Sequence, residues 1–393
     1  MGRPLLRRPG GGDAGAGRTG RAAAGRRLHV HPLGGSEPAP GRGGRAGTGG
    51  RVSRPLRLLL VGFGNVGRRL AEILLDRPSY PGLAGFDATV VAIVTGRHGT
   101  VAHGAGVDLD EALRAVTAGR DFSTHPHRAS LDAAAAVASL DYDVLVETSP
   151  LSVAGRGEPA ASWIRAALAR GRHVVTANKG PIAWCYRELA ALAEAHGCRL
   201  RFEATVMDGA PVFSLARRCL RGNTVRRVAG VLNSTSNLVL ELIGQGASTE
   251  AAVAEAQRLG VAETDPTLDL DGWDAAVKLA CLATVLMGGD LPPEAVARTS
   301  VRAVSPDRVR AVEAAGRRLK MVAEAFWDGE KVVGRVLPCE LTPDEPFAQV
   351  RGQGSALRLV TDILGALLIA EEGPDLSSTA YGLLADLLEI AGE

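Results

Sequence analysis

The stretch Leu56–Leu75, LRLLLVGFGNVGRRLAEILL, passes from an apolar run through a glycine-rich turn into a segment whose apolar residues have helical spacing. The run predicts a buried β-strand, and the spacing after the turn predicts a helix. Gly62, Gly64 and Gly67 have the GxGxxG spacing, which permits a tight turn, close approach of a pyrophosphate and close helix–strand packing. This context favours a dinucleotide-binding loop over the alternative of a βα turn that is merely tight.

The end of the next predicted strand bears on which dinucleotide is bound. A site specific for NAD usually ends this strand with an Asp or Glu that holds the ribose 2′-OH. Here the strand at 88–95 is followed by GRHG, with no acid and with Arg97 in that place. Because a guanidinium suits a 2′-phosphate, the sequence favours NADP over NAD. The alternative for Arg97 is a solvated loop charge.

Predicted strands and helices alternate from Arg57 to Val206, which indicates an α/β fold with a Rossmann-type, doubly wound parallel sheet. The last strand of this part is RLRFEATV, residues 199–206. After Val206 the pattern changes and predicts a second, α+β domain. Its expected elements are a strand at 226–233, helices near 236–244, 249–259 and 272–287, strands over 331–351, and a terminal amphipathic helix.

These patterns divide the chain into four parts. The predicted parts are a disordered Gly/Arg-rich extension over 1–54, an NAD(P)-binding Rossmann domain over 55–200, a catalytic and dimerisation α+β domain over 201–350, and a C-terminal segment over 351–393 whose helix returns to the nucleotide domain or to an interface. The first part holds eleven Arg against two carboxylates, a net charge of +9, so the other 339 residues carry −7. That balance fits a small-molecule enzyme better than a nucleic-acid-binding protein.

The extension has two further interpretations besides plain disorder. It could be a basic tail that touches nucleic acid or membrane, or an upstream stretch translated from a wrongly assigned start, with Val52 as the true start. Five scattered Cys without a CxxC pair, no apolar run long enough to span a membrane and no secretory signal predict a cytoplasmic protein with reduced thiols.

The segment HVVTANKGPIA places Asn178 and Lys179 directly after a buried strand. Ligands bind at the carboxyl ends of strands in open α/β sheets, so Lys179 is a candidate to bind a carbonyl oxygen or relay a proton. The alternative is an ordinary surface lysine.

The segment VAETDPTLDLDGWDAAVKLACLA concentrates carboxylates before and within a predicted helix. Asp274 and Lys278 are four residues apart and share one helix face, so the carboxylate can orient the ammonium group. The spacing of the acids does not match a calcium loop, and the cationic amino group of a substrate suits them better. A solvated acidic loop with a helix ion pair is the alternative.

Two further segments carry polar groups. In EATVMDGAPVF, Glu203 and exposed carbonyls could hold a hard monovalent cation, or the segment is a plain loop. In VLNSTSNLVL, the run from Asn233 to Ser236 either caps a helix through Ser234 or Ser236, or forms a polar wall for a small substrate.

Together these segments resemble homoserine dehydrogenase over residues 56–393. The similarity is carried, in order along the chain, by GFGNVG, VVTANKGPIA, FEATVMDGAPVF, GVLNSTSNLVLELI, AQRLGVAETDPTLDLDGWDAAVKLACLA and STAYGLLADLL. The resemblance implies reversible NAD(P)H-dependent reduction of L-aspartate 4-semialdehyde to L-homoserine, in the biosynthesis of threonine, methionine and isoleucine. It also implies a homodimer formed through the second domain.

The resemblance also assigns roles to residues. It implies that Lys278 gives a proton to the nascent alkoxide, that Asp274 positions it, and that Lys179 lies near both nicotinamide and substrate. The other implied contacts are Glu263, Asp269 and Thr235 with the substrate, Phe63, Asn65, Val66 and Thr148 with the cofactor, and Glu203, Val206, Asp208 and Ala210 with a sodium ion.

Some residues depart from the pattern of this family. Met207 and Asp208 stand where a Gly-rich turn is common, and Val261 stands where Tyr is common beside the substrate. The given sequence ends with LLEIAGE, so we expect no C-terminal regulatory domain and weak or absent inhibition by threonine. Two alternatives stay open: a related dehydrogenase for another amino-acid aldehyde or keto substrate, and a catalytically silent NADP-binding protein. The retained lysines disfavour the second.

Overall fold

The computed structural model describes residues 55–392, and the predictions for residues 1–54 lie outside it. The predicted α/β class is confirmed: a mostly parallel, seven-stranded sheet has the order β4-β3-β2-β1-β5-β6-β7. Its strands are β1 (Leu56–Val61), β2 (Ala88–Thr95), β3 (Gly99–Ala102), β4 (Arg128–Ala129), β5 (Val144–Glu147), β6 (His173–Thr176) and β7 (Leu200–Arg201). The pairings β2–β1–β5–β6–β7 are parallel, whereas β3 and β4 add an antiparallel edge that the sequence analysis missed.

Five helices belong to this part of the chain, and short polar side chains fix where several of them begin. They are α1 (Asn65–Leu75), α2 (Leu109–Thr117), α3 (Ala133–Ser139), α4 (Ala160–Ala169) and α5 (Lys179–Ala195). Asp108, Asp132 and Asn178 accept a backbone N–H in the first turns of α2, α3 and α5. Each such cap stabilises its helix by about 1 kcal/mol.

The second sheet is mixed, with the order β13-β12-β8-β10-β11-β9. Its strands are β8 (Val225–Val231), β9 (Ala297–Arg298), β10 (Arg318–Asp328), β11 (Lys331–Leu341), β12 (Ser355–Thr361) and β13 (Ala366–Glu371). The prediction of strands over 331–351 is right only to Leu341, because Pro343 and Pro346 introduce a turn and the 3₁₀ segment Pro346–Gln349. Long-range pairing forms β10, β12 and β13, which the sequence analysis did not predict.

The remaining helices pack on both sheets. They are α6 (Phe213–Cys219), α7 (Ser234–Gly244), α8 (Thr249–Arg258), α9 (Thr267–Leu270), α10 (Trp273–Leu286), α11 (Pro306–Ala314) and α12 (Leu376–Gly392). Leu383 and Leu387 of α12 are fully buried in one apolar cluster with Leu58 and Leu60 of β1. The last helix therefore covers the first sheet, although the predicted domain boundaries stay a prediction. Within residues 55–392, no helix is both long and apolar enough to cross a membrane.

The segment after β7 departs from the predicted strand at 199–206. The strand ends at Arg201, and Glu203–Thr205 forms a 3₁₀ turn. The Glu203 carboxylate accepts hydrogen bonds from the backbone N–H groups of Phe213 and Ser214, each at 2.7 Å. These bonds hold the start of α6 in place. Glu203 N–H in turn donates to Asp386 Oδ2 of α12 at 2.8 Å. These local bonds replace the sheet bonds that a longer strand would have required.

Asp386 predicts how stability depends on pH. The residue is 2% exposed, and burial together with the Glu203 carboxylate raises the pKa of Asp386 to about 8. A raised carboxyl pKa contributes stability that is complete below the unfolded value of about 4 and is lost as the pH rises through the folded value.

We therefore expect Asp386→Asn to remove up to about 1.4 kcal/mol per pH unit from the pH dependence of the free energy of unfolding between about pH 4 and pH 8. Urea unfolding of both proteins at several pH values measures this dependence. Parallel stability curves for the two proteins would contradict the assignment.

Candidate active site

The glycine-rich loop joins β1 to α1, and each glycine has a different physical role. Gly62 has φ +99, and a Cβ there would lie 2.7 Å from the backbone of Thr148. A Cβ on Gly67 would lie 3.1 Å from the carbonyl oxygen of Gly62, so this residue lets α1 pack closely. Gly64 is exposed, and a Cβ there would meet no protein atom within 4 Å.

The start of α1 is open to an anion. Gly64 occupies the N-cap position and makes no side-chain cap, so the first N–H groups of the helix remain available to a phosphate. Asn65 and Val66 form the first residues of α1, and Thr148 Oγ1 donates to the Gly62 carbonyl at 3.1 Å. Phe63 has a buried side chain, which leaves only its backbone for the cofactor. The loop therefore fits a dinucleotide pyrophosphate.

Arg97 is exposed in the turn between β2 and β3. Since β1 and β2 are parallel neighbours, Arg97 follows the strand end that lies beside the glycine-rich loop. An exposed guanidinium at this edge can reach a ribose phosphate without losing a buried partner.

Glu147 is a buried residue that the sequence analysis did not single out. It ends β5 with no exposed surface, and its two carboxylate oxygens accept Ser149 N–H and Thr176 Oγ–H, each at 2.7 Å. Burial raises the pKa of Glu147, and these two hydrogen bonds oppose the shift. The carboxyl group thus joins the ends of β5 and β6. An acid at the end of a short apolar strand is the only signal that could have drawn attention to it.

The same network positions Lys179. Asn178 N–H donates to Thr176 Oγ1 at 2.9 Å, and Asn178 Oδ1 accepts Gly180 N–H at 3.0 Å as the cap of α5. Lys179 is the first residue of that helix, rather than a strand residue, and its Nζ lies 3.0 Å from Asp274 Oδ1. Burial lowers the pKa of Lys179, but the Asp274 carboxylate outweighs it and holds the pKa above its ordinary value.

Asp274 lies in the first turn of α10 and faces both lysines. Its second oxygen, Oδ2, is 3.4 Å from Lys278 Nζ, and Lys278 Nζ also donates to the Leu232 carbonyl at 2.7 Å. Burial would raise the pKa of Asp274, but Lys179 and Lys278 hold it well below its usual range. The carboxylate is therefore ionised, and it holds two ammonium groups side by side.

Asp269 and Thr235 join this group through Asn233. Asn233 Nδ2 donates to Asp269 Oδ1 at 2.7 Å and to Asp274 Oδ2 at 2.9 Å, while Thr235 Oγ1 lies 3.1 Å from Asp269 Oδ2. Burial and the neighbouring Asp274 charge raise the pKa of Asp269. The N-cap of α7 is Asn233, which accepts Ser236 N–H, so the predicted cap through Ser234 or Ser236 is wrong. Asn233 belongs to the predicted polar run, but its bonds to Asp269 and Asp274 were not predicted, because nothing local shows that it reaches two acids about forty residues away.

The remaining predicted site residues lie outside this hydrogen-bonded group, although two of them share a cavity with Lys278. The Glu263 side chain is exposed, and its backbone carbonyl accepts a hydrogen bond from Gln257. Asp208 lies with Lys278 on the wall of a cavity of about 230 Å³, which Val206 also lines. Ala210 is buried. A larger cleft of about 650 Å³ contains none of the predicted residues.

The predicted sodium ion has no support. Both carboxylate oxygens of Glu203 already accept backbone N–H groups, as described above. In the part of the chain that the structure describes, no group of three or more His, Cys, Asp or Glu side chains is arranged to hold a metal ion. The sodium site of Glu203, Val206, Asp208 and Ala210 stays a prediction.

Comparison with known proteins agrees with this arrangement. Residues 62–203 match the homoserine dehydrogenase NAD-binding domain, and residues 211–388 match the homoserine dehydrogenase family. The NAD(+)-dependent homoserine dehydrogenase of Pseudomonas canavaninivorans is 33% identical over 341 residues, which cover 85% of this chain and 96% of that protein. The chain belongs to the homoserine dehydrogenase family.

Further relatives extend the match to other organisms and to solved structures. The homoserine dehydrogenase of Methanocaldococcus jannaschii is 31% identical over 85% of this chain and 98% of its own length. A hyperthermophilic archaeal homoserine dehydrogenase solved in complex with NADPH is 30% identical, has a TM-score of 0.73, and is matched over 86% of this chain and 98% of its own. The predicted family, oxidoreductase class and NAD(P) cofactor are confirmed.

The glycines give a test that separates folding from cofactor binding. Gly62→Ala should lower the free energy of unfolding by more than about 1 kcal/mol, because it places a side chain at positive φ against the Thr148 backbone. Gly64→Ala should leave stability within about 0.5 kcal/mol but weaken NADP⁺ binding about tenfold, because its Cβ would point toward the pyrophosphate.

Chemical denaturation and cofactor titration by fluorescence measure both quantities. Unchanged NADP⁺ affinity in Gly64→Ala would mean that the loop does not bind the pyrophosphate.

Proposed function

We propose that this chain catalyses the reversible reduction of L-aspartate 4-semialdehyde to L-homoserine with NAD(P)H. The supporting observation is the pair of lysines that share one buried carboxylate: Lys179 comes from the end of the first sheet, and Lys278 from α10 beside the second. Their meeting point lies where the cofactor-binding edge of the first sheet faces a cavity suited to a small substrate.

The reaction requires a proton and a positive potential at the reacting oxygen. When bound, the reduced nicotinamide supplies the hydride that attacks the aldehyde carbon. Negative charge then develops on the substrate oxygen, and two adjacent ammonium groups stabilise it. Lys278 donates the proton, Asp274 holds Lys278 in place, and Lys179 binds the oxygen from the nicotinamide side.

The other predicted roles complete the proposal. Asp269 and Thr235, which are hydrogen-bonded to each other, are proposed to contact the substrate, whereas the role of Glu263 requires its exposed side chain to turn inward. NADP is proposed over NAD because Arg97 replaces the usual acid.

A homodimer through the outer face of the second sheet is proposed because apolar side chains such as Val333, Leu337 and Leu368 are left partly or fully exposed there. A cytoplasmic location is proposed from the sequence alone.

The activity is tested by adding L-homoserine with NADP⁺ or NAD⁺ to the purified protein and recording absorbance of the reduced cofactor. We expect turnover with both and a higher kcat/KM with NADP⁺. Arg97→Ala should lower kcat/KM with NADP⁺ about tenfold to a hundredfold and leave the value with NAD⁺ within about threefold, since only NADP carries the 2′-phosphate.

No turnover with either cofactor would refute the proposed reaction. Equal effects of Arg97→Ala on kcat/KM with both cofactors would refute the proposed role of Arg97 in the preference for NADP, but not the proposed reaction.

Lys278→Ala tests the proton donor. We expect kcat to fall by about 10²–10⁴, because the reacting oxygen loses both its proton source and a charge, while the Kd for NADP⁺ changes less than about threefold. Lys331→Ala, which removes an exposed lysine from β11, is the matched control and should behave like the wild type. A Lys278→Ala protein with nearly full kcat would exclude this role.

A further inference from the structure

A cleft rich in arginine contains none of the residues assigned above to the reaction or to the cofactor. It lies where β7, α6 and α12 meet, and its volume is about 1000 Å³. Among the described residues, the charged side chains that line it are Arg199, Arg201, Arg217, Arg218, Arg221 and Glu389. These five arginines and one acid carry a net charge of +4, although the chain after residue 54 carries −7. The positive charge of this cleft is therefore a local feature.

Glu389 of α12 is the acid at the centre of the group. Its carboxylate lies 3.1 Å from Arg201 Nη2 and 3.3 Å from Arg218 Nη2, and it also accepts a hydrogen bond from Arg217. Burial raises the pKa of Glu389, but Arg201 and Arg217 outweigh it and hold the pKa below its ordinary value. One ionised carboxylate cannot neutralise several guanidinium groups. Arg217, Arg218 and Arg221 are exposed, so an anion from solution can reach them.

The chemistry of the cleft suits phosphate groups. The planar fork of a guanidinium matches the oxygen atoms of a phosphate or a carboxylate and can bind two of them at once. A phosphate monoester carries about −1.5 to −2 at neutral pH, so a net charge of +4 is balanced by two or three phosphate groups rather than by one carboxylate.

A second cleft adjoins the first and can hold the rest of such a ligand. This is the cleft of about 650 Å³ described above, and it shares Arg199, Arg201 and Arg217 with the arginine-rich cleft. Tyr186 and Phe202 line it, with ring centroids 5.6 Å apart in an edge-to-face arrangement. Its volume is typical of sites for small organic molecules. An apolar, aromatic wall beside a cluster of arginines suits a flat apolar group attached to phosphates.

We propose that these two clefts form a second ligand site, which binds a small molecule of the nucleotide class apart from the NAD(P) loop. The phosphate groups lie between the arginines of α6 and those beside β7, and the flat group lies toward Tyr186 and Phe202. This site is independent of the proposed reaction, so a failure of the proposed function would leave it standing.

Binding is tested by calorimetric titration of ATP into the full-length protein saturated with NADP⁺, so that the glycine-rich loop is already occupied. We expect ATP to bind, and to bind about tenfold more tightly than inorganic tripolyphosphate, which lacks a flat group. Arg218→Gln/Arg221→Gln changes two exposed residues and should weaken ATP binding at least about tenfold. Arg308→Gln/Arg310→Gln, which removes the same charge from exposed positions of α11, is the matched control and should behave like the wild type.

Glu389→Gln gives a test in the opposite direction. Removing the acid leaves its guanidinium partners to the ligand, so the affinity for ATP should rise about threefold or more, and damage to the fold cannot imitate a gain. The proposal would be overturned by any of four results: no ATP binding to the NADP⁺-saturated protein, equal effects of the two double variants, weaker binding in Glu389→Gln, or tripolyphosphate binding as tightly as ATP. A gain of more than about tenfold on deleting Glu393, which follows Gly392 of the cleft in the sequence, would also overturn it by identifying the chain itself as the occupant.

Discussion

The site depends on one buried carboxylate that two ammonium groups share. Asp274 lies 3.0 Å from Lys179 and 3.4 Å from Lys278, and the three side chains are at most one-fifth exposed. Taking these charges out of water is costly unless they are paired, so neither lysine could be buried here without the aspartate. Because Lys179 starts a helix of the first sheet and Lys278 belongs to a helix beside the second, the same contact also fixes how the cofactor half meets the substrate half.

Asp274 can hold both lysines only because neutral side chains fix the positions of the groups around it. Asn178 caps α5 and sets the direction of Lys179, while Asn233 caps α7 and donates to Asp274 and Asp269. An amide side chain can cap a helix with its oxygen and bind an acid with its nitrogen, and Asn233 does both at once. Glu147 supports the first of these positions from the core, through Thr176. Preorganisation of this kind reduces the reorganisation needed when charge develops on the substrate.

The parts that could be predicted from the sequence are those encoded by local spacing. The glycines of the cofactor loop, the Asp274–Lys278 pair on one helix face and Lys179 after a buried strand each lie within one short segment. Glu147 and the bonds that Asn233 makes to two acids escaped prediction because they arise from contacts between residues far apart in the chain, such as Asn233 with Asp269 and Asp274. The predicted strand through Glu203 was wrong for a related reason. The Glu203 carboxylate accepts hydrogen bonds from the first N–H groups of α6, and the backbone turns away from the sheet there.

The charges around Asp274 match the charge that develops in the reaction. Lys179, Lys278 and Asp274 carry a net charge of +1 at one wall, where the reaction creates an oxyanion. Asp208 adds a carboxylate to the wall of the cavity that Lys278 also lines. A developing oxyanion placed near Asp208 instead of the two lysines would meet a like charge. Such like-charge contacts cost several kcal/mol, so this repulsion supports the orientation that the attraction of the two lysines favours.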